Sequence, residues 1–194
     1  MVSGSVKCWG LNNEGQLGNN SQGNNGPTPV QVIGLTSGVT AVSVGDMSAC
    51  AIVSGNVWCW GSNGYGQLGL PSTTSNSNVP VQIAGLSGVT AVAFGAYGSS
   101  VCATTAVGDL TCWGEGSSGQ LGNGGQSQSS SPVQVTGLTT GVSSPASGYD
   151  SSCAVVSCGV QCWGPGLSGE LGNGTLLQSL VPSPVKLLGS AVCP

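Results

Sequence analysis

Residues 8–19 read CWGLNNEGQLGN, and near copies return three times in the chain. They are CWGSNGYGQLGL at 59–70, CWGEGSSGQLGN at 112–123 and CWGPGLSGELGN at 162–173, in steps of 51, 53 and 50 residues. Other landmarks keep the same beat. Pro-Val-Gln-Val stands at 29–32 and 132–135, Pro-Val-Gln-Ile at 80–83 and Pro-Val-Lys-Leu at 184–187. GVTAVSVG (38–45), GVTAVAFG (88–95) and the looser GVSSPASG (141–148) fall between them. A fixed period of this size marks a repeat architecture whose units cannot bury their apolar faces alone. We divide 1–194 into units 1–37, 38–87, 88–140 and 141–194, one repeat domain.

Each unit reads as short strands. VQVIGL, VTAVSV, CAIV and VWCW are rich in β-branched and aromatic residues and are bounded by Gly, Pro, Asn and Ser. No window sustains a 3.6-residue period. The expected fold is all-β, a propeller-type array of four-stranded antiparallel blades, about four units in an incomplete or shared ring. In the CWG…GQLG segment the tryptophans (Trp9, Trp60, Trp113, Trp163) and leucines (Leu17, Leu68, Leu121, Leu171) are expected to form the layer on which one blade leans against the next. The competing reading of the tryptophans is an aromatic set that stacks on sugars or absorbs light.

Composition excludes several functions. Charged residues make up 4% of the 194, with two lysines, no arginine, no histidine and a formal net charge of -4. Two lysines cannot line a phosphate-binding face or a polybasic membrane patch, so neither nucleic acid nor a membrane is an expected partner. There is no apolar run of membrane-spanning length. Without histidine, Ser-His-Asp and Cys-His sites cannot form. Glu14 and Glu170 occupy the repeated turn and Glu115 adjoins it, while Asp46, Asp109 and Asp150 form no motif. The expectation is no enzyme, no cofactor and no metal. Sequons occur at Asn19 and Asn173, in a chain where Asn-Ser pairs also arise by chance.

Nine cysteines are present. Cys50 and Cys59, Cys102 and Cys112, and Cys153 and Cys162 are separated by eight, nine and eight residues, as if opposite one another on two strands joined by a turn. Cross-strand neighbours have Cβ atoms about 4.5–5.5 Å apart, close to disulfide reach. One bridge per blade is expected, in an oxidising compartment such as the periplasm or the extracellular space. A zinc site is disfavoured, since the cysteines are not clustered as CxxC and no histidine accompanies them. Cys8, Cys158 and Cys193 are left over. Cys8 with Cys193 is the preferred pairing, within one chain or between two; Cys158 with Cys193, or a free Cys158, is the rival.

CWGSNGYGQLG followed by VPVQIAGLSGVTAVAFG resembles the repeat of the regulator-of-chromosome-condensation family of β-propellers, and the likeness runs over almost all of 1–192. It implies blades of four antiparallel strands, usually seven to a ring. The family includes a chromatin-bound guanine-nucleotide exchange factor, inhibitors of β-lactamases, ultraviolet sensors and parts of ubiquitin ligases. The family's G-x-x-H-S histidine is replaced here, in GDMSAC, GAYGSSVC and GYDSSC, by a nearby cysteine. The basic and acidic faces used on nucleosomes and GTPases, and the arginines of the light-sensing members, are missing too. Exchange and light sensing are therefore not carried over.

The chain reads as starting at a last strand (VKCWG) and stopping just inside a first-type strand (LLGSAVCP), with three complete units and a fourth split between the ends. The leading functional expectation is a non-catalytic extracellular module for protein–protein interaction or self-assembly, as a dimeric ring or head-to-tail filament, its partner being itself or another extracellular protein. A lectin-like glycan binder is the alternative, with Trp58, Tyr65, Tyr97 or Tyr149 stacking on a sugar. An inhibitor of an enzyme is a third, resting on fold alone.

Overall fold

The computed structural model describes residues 4–71, 73–95, 99–157 and 159–186. These residues form fourteen strands and no helix. They are β1 (Lys7–Gly10) and β2 (Gly26–Gln31); β3 (Val39–Val44), β4 (Ser48–Val53), β5 (Asn56–Ser62) and β6 (Asn76–Gln82); β7 (Val89–Phe94), β8 (Ser100–Thr105), β9 (Leu110–Gly114) and β10 (Ser129–Gln134); and β11 (Val142–Ser147), β12 (Ser152–Val156), β13 (Gly159–Gly164) and β14 (Ser179–Pro184). Three antiparallel four-stranded meanders, β3–β6, β7–β10 and β11–β14, follow a two-stranded sheet, β1–β2.

Each third strand carries, at or next to its end, a position that only glycine tolerates. The glycine of each CWG has a positive φ: +100° at Gly61, +94° at Gly114 and +113° at Gly164. A Cβ there would collide with a carbonyl ahead of the second strand, that of Met47, Ser99 or Asp150. The glycine thus allows the third strand to pass tightly beside the loop that opens the second.

The order within a sheet corrects the sequence reading at the first end. The CWG strand is third in its sheet, between the cysteine-bearing second strand and an outer strand carrying Pro-Val-Gln. β1 is therefore a third-type strand, and β2 pairs with it as the fourth. The outer strand also stops at Gln31, so VQVIGL is not one strand; its second half turns toward the next unit. The match of PVKL to PVQV is two residues out of register. Val185 donates to the Val160 carbonyl and Lys186 to that of Gly172, as Val135 donates to Leu110 and Thr136 to Gly122. The loop from Gly172 to the start of β14 at Ser179 is as long as that from Gly122 to the start of β10 at Ser129, so the pairing keeps the loop length and not the position of the motif.

The inner strands stack from sheet to sheet: β7 on β3 and β4, then β11 on β7 and β8. Among the described residues no comparable packing joins the first sheet to the last, so the array is an open arc. Each junction has its own apolar cluster. Trp60 packs with Val6, Val32, Leu35 and Val39; Trp113 with Ile52, Leu68, Ile83 and Phe94; Trp163 with Leu110, Leu121, Val135 and Val142.

Candidate functional site: the junction surface and its two open faces

One hydrogen bond recurs in the loop between third and fourth strands of every unit. Gln16, Gln67 and Gln120 turn their side-chain carbonyls back to the amides of Glu14, Tyr65 and Ser118. Glu170 does the same through its carboxylate, accepting from Ser168 at 2.7 Å. This leaves the residue's main-chain carbonyl facing outward. The indole of the next unit reaches it: Trp60 Nε1 donates to Gln16 O, Trp113 to Gln67 O and Trp163 to Gln120 O, each at 2.9 Å. A glycine two residues on makes room for the ring. A Cβ on Gly18 would stand 3.0 Å from Trp60, and one on Gly122 2.6 Å from Trp163. A buried indole with its N–H satisfied is a strong and directional junction.

Trp60, Trp113 and Trp163 are 1%, 0% and 0% exposed, and Leu17, Leu68, Leu121 and Leu171 are all buried. Trp9 does not share this role: it is 65% exposed. The physical reason is that a CWG tryptophan packs on the unit before its own, and the described residues contain no such unit for Trp9.

The same deficit shapes a cleft of about 380 Å³ beside β1. In the complete sheets the first strand lies across the first two strands of the preceding sheet. Among the described residues β3 has no such strands to lie on, because β1 and β2 are third and fourth in type. Val44 is accordingly 66% exposed, whereas its counterpart Phe94 is 6% exposed and packs against Gly45. Cys8 lines this cleft, and burial pushes its thiol up to about 11. Gly10 has the positive φ of its counterparts but would carry a Cβ into open space.

Cys50–Cys59, Cys102–Cys112 and Cys153–Cys162 are bonded, each with Cα atoms 4.1 Å apart and each pair directly opposite in the ladder between second and third strands. Cys8 is a free thiol. Cys158 and Cys193 lie outside the described residues.

The aromatic residues considered for sugar stacking do not converge. Trp58 is half-buried within β5, Tyr65 is exposed in the β5–β6 loop, and Tyr149 is exposed between β11 and β12 of another sheet. Tyr97 lies outside the described residues. The sequon asparagines each fold back on their own motif: Asn19 accepts from Ser21 N and Oγ, and Asn173 from Thr175 N and Oγ1. Among the described residues no group of three or more acids, cysteines or histidines could hold a metal ion.

Sequence reasoning missed Asn12 and Asn63, fully buried in this loop. Asn63 Oδ1 accepts from Leu68 N while its amide donates to the carbonyls of Leu70, Pro71 and Thr74; Asn12 holds Leu17 N and Ser21 in the same way. The later units carry Gly116 and Gly166 there, where a Cβ would collide with the carbonyls of Ser127 and Leu177. The W-G-x-N spacing held the signal, but half of the copies lack the asparagine.

The regulator of chromosome condensation (RCC1) repeat model matches residues 3–52, 54–102 and 108–155, and a second model of that repeat matches 39–67. The chain belongs to this repeat family. It is 32% identical over 142 residues to the human E3 ubiquitin-protein ligase HERC2, covering 70% of this chain and 3% of that protein. To mouse HERC4, a probable E3 ubiquitin-protein ligase, it is 36% identical over 140 residues, 70% of this chain and 13% of that one. The chain therefore spans a small part of these curated relatives. Human WBSCR16 superposes with a TM-score of 0.82 at 25% identity, covering 96% of this chain and 50% of that one. Yeast RCC1 (Prp20), solved bound to Kap60, superposes at 0.79 with 21% identity and covers 95% and 45%, a likeness of fold. This chain is an open arc of RCC1 repeats, about half the length of those solved chains.

Proposed function

We propose that this RCC1-like repeat module is a non-catalytic extracellular component that associates head to tail with further copies of itself. The observation that supports this reading is the complementarity of its two open faces. Each internal junction joins an indole N–H to the carbonyl of a loop residue in the unit before. Among the described residues, Trp9 Nε1 has no acceptor and the Glu170 carbonyl has no tryptophan donor. The loop around Glu170 also exposes Leu167, Leu176 and Leu177. A second copy offering Trp9 to this loop would repeat the internal junction across a chain boundary. Such a heterologous contact closes into a ring or runs on as a filament according to its rotation. A net charge of -4 over 194 residues opposes the approach only weakly. Three cross-strand disulfides fit an oxidising compartment.

Sedimentation velocity over a concentration series tests the reading. The 194-residue chain is expected to self-associate, and Trp9→Ala and Leu176→Glu each to sediment as monomers. A wild-type chain that stays monomeric throughout, or a Trp9→Ala chain that associates equally, would overturn it.

A further inference from the structure

We infer that a groove between the second and third units holds the side chain of a lysine presented by a partner protein. The groove lies within the array and involves neither of its open faces. Residues 85–88, in the linker from β6 to β7, form one wall. Val107, Asp109, Thr111 and Pro132 of the third unit stand on the other, and the space measures about 400 Å³.

Two departures from the other units mark this place. The first is in the linker. Gln31 Nε2 donates to the carbonyls of Val6, Val32 and Leu35, and Gln134 Nε2 to those of Leu110, Val135 and Leu138. The amides of Val6 and Leu110 also donate to the linker carbonyls of Leu35 and Leu138. Gln82 turns instead to Asn56 Oδ1, and among the described residues the Leu86 carbonyl accepts from neither Gln82 nor Val57. The second departure is in β9. Thr111 stands two residues before the buried Trp113, at the position that Trp58 holds before Trp60 in β5. A small hydroxyl side chain thus replaces an indole.

The chemistry of the walls selects the occupant. No side chain that lines the groove carries an N–H. The polar ones are hydroxyls and a single carboxylate, that of Asp109. Main-chain amides of the hairpin are engaged within the fold: Thr105 N donates to Asp109 O, Ala106 N to Gly88 O and Gly108 N to Thr105 O. The Thr105 hydroxyl donates to Asp109 Oδ1 and fixes the carboxylate in place. The chain has no arginine, and its two lysines, Lys7 and Lys186, belong to the first and last units. Acceptors around an uncompensated acid favour a cationic donor. With one carboxylate in the groove, one ammonium is matched and a second charge is not. Leu86, Val107 and Pro132 supply apolar surface for the stem of a lysine.

Saturation-transfer NMR on the oxidised full chain tests this, with Nα-acetyl-lysine methylamide as the probe. Binding is expected to saturate with a Kd of about 1–10 mM and to weaken as salt is raised. Asp109→Asn removes the charge, and Thr111→Trp fills the groove as β5 is filled. Each is expected to weaken binding at least about tenfold. Circular dichroism establishes which variants fold, and a single folded variant decides the matter. Tetramethylammonium, a charge without N–H, and the Nε-acetylated probe, an N–H without charge, are each expected to bind at least about tenfold more weakly. Wild-type affinity in either folded variant, or tetramethylammonium binding as tightly as the lysine probe, would overturn the site. Tighter binding of 1,4-diaminobutane than of the lysine probe would overturn the assignment to a lone lysine side chain. None of these readouts depends on self-association.

Discussion

Trp9 and Trp113 stand at the same place in the same motif, and one is 65% exposed while the other is 0% exposed. The pairs around them divide in the same way. Cys8 is free where Cys59, Cys112 and Cys162 are bonded, Val44 is exposed where Phe94 is buried, and Gly10 faces open space where Gly114 crowds a carbonyl. The motif alone does not confer burial. It prepares a residue for a neighbour, and the neighbour completes the interaction. This is the nearest-neighbour behaviour expected of a stacked repeat, and it makes the first unit an internal control for the others.

The comparison breaks most visibly at the tryptophans. Trp113→Ala is expected to lower unfolding free energy by about 3–5 kcal/mol, through lost burial and a cavity at the junction. Trp9→Ala in the dilute monomer should cost under about 0.5 kcal/mol. Urea unfolding of the two variants side by side measures the gap, and similar losses would deny that the neighbour matters. Next come the cysteines. Replacing Cys102 and Cys112 together by serine should cost roughly 2–3 kcal/mol in the same assay, by the loop-entropy argument. Cys8→Ser should stay within about 1 kcal/mol.

The glycines give a smaller and sharper contrast. Gly10→Ala and Gly114→Ala both place a side chain at positive φ, a cost of about 1 kcal/mol. Only at Gly114 does the new Cβ also meet the Ser99 carbonyl, so that variant should be less stable than Gly10→Ala by at least about 1 kcal/mol. The smallest effect is one of rate. Burial raises the Cys8 thiol from an ordinary 9.0 to about 11, so the protonated, unreactive form persists to higher pH in the folded chain than in the unfolded one. Alkylation of folded Cys8 relative to the urea-unfolded chain should be slowest below pH 9 and approach parity above pH 11. A ratio that does not change with pH would contradict the burial of the thiol.

Much of the arc was legible in the sequence, for a physical reason. Strand pairing is local here, so an eight- or nine-residue gap between cysteines is a statement about one hairpin, and Cys50 and Cys59 do lie opposite each other. The repeated WG-x-N-x-x-GQLG segment likewise carries its own turn chemistry. The order of strands within a blade was harder, because 15 residues separate β1 from β2 and nothing in VKCWG says which edge its partner takes. The exposure of Trp9 was illegible for another reason: it depends on a unit that the motif presumes and the described residues do not include. Asn12 and Asn63 escaped notice because Gly116 and Gly166 solve the same loop by close approach instead of by hydrogen bonds.

The central claim is that burial at this position is conferred by the preceding unit. Hydroxyl-radical footprinting of the dilute monomer, with oxidation quantified at each tryptophan by peptide mass spectrometry, tests it most directly. Trp9 should oxidise readily while Trp60, Trp113 and Trp163 remain protected. Oxidation of Trp113 or Trp163 at the rate of Trp9, or protection of all four alike, would contradict the account.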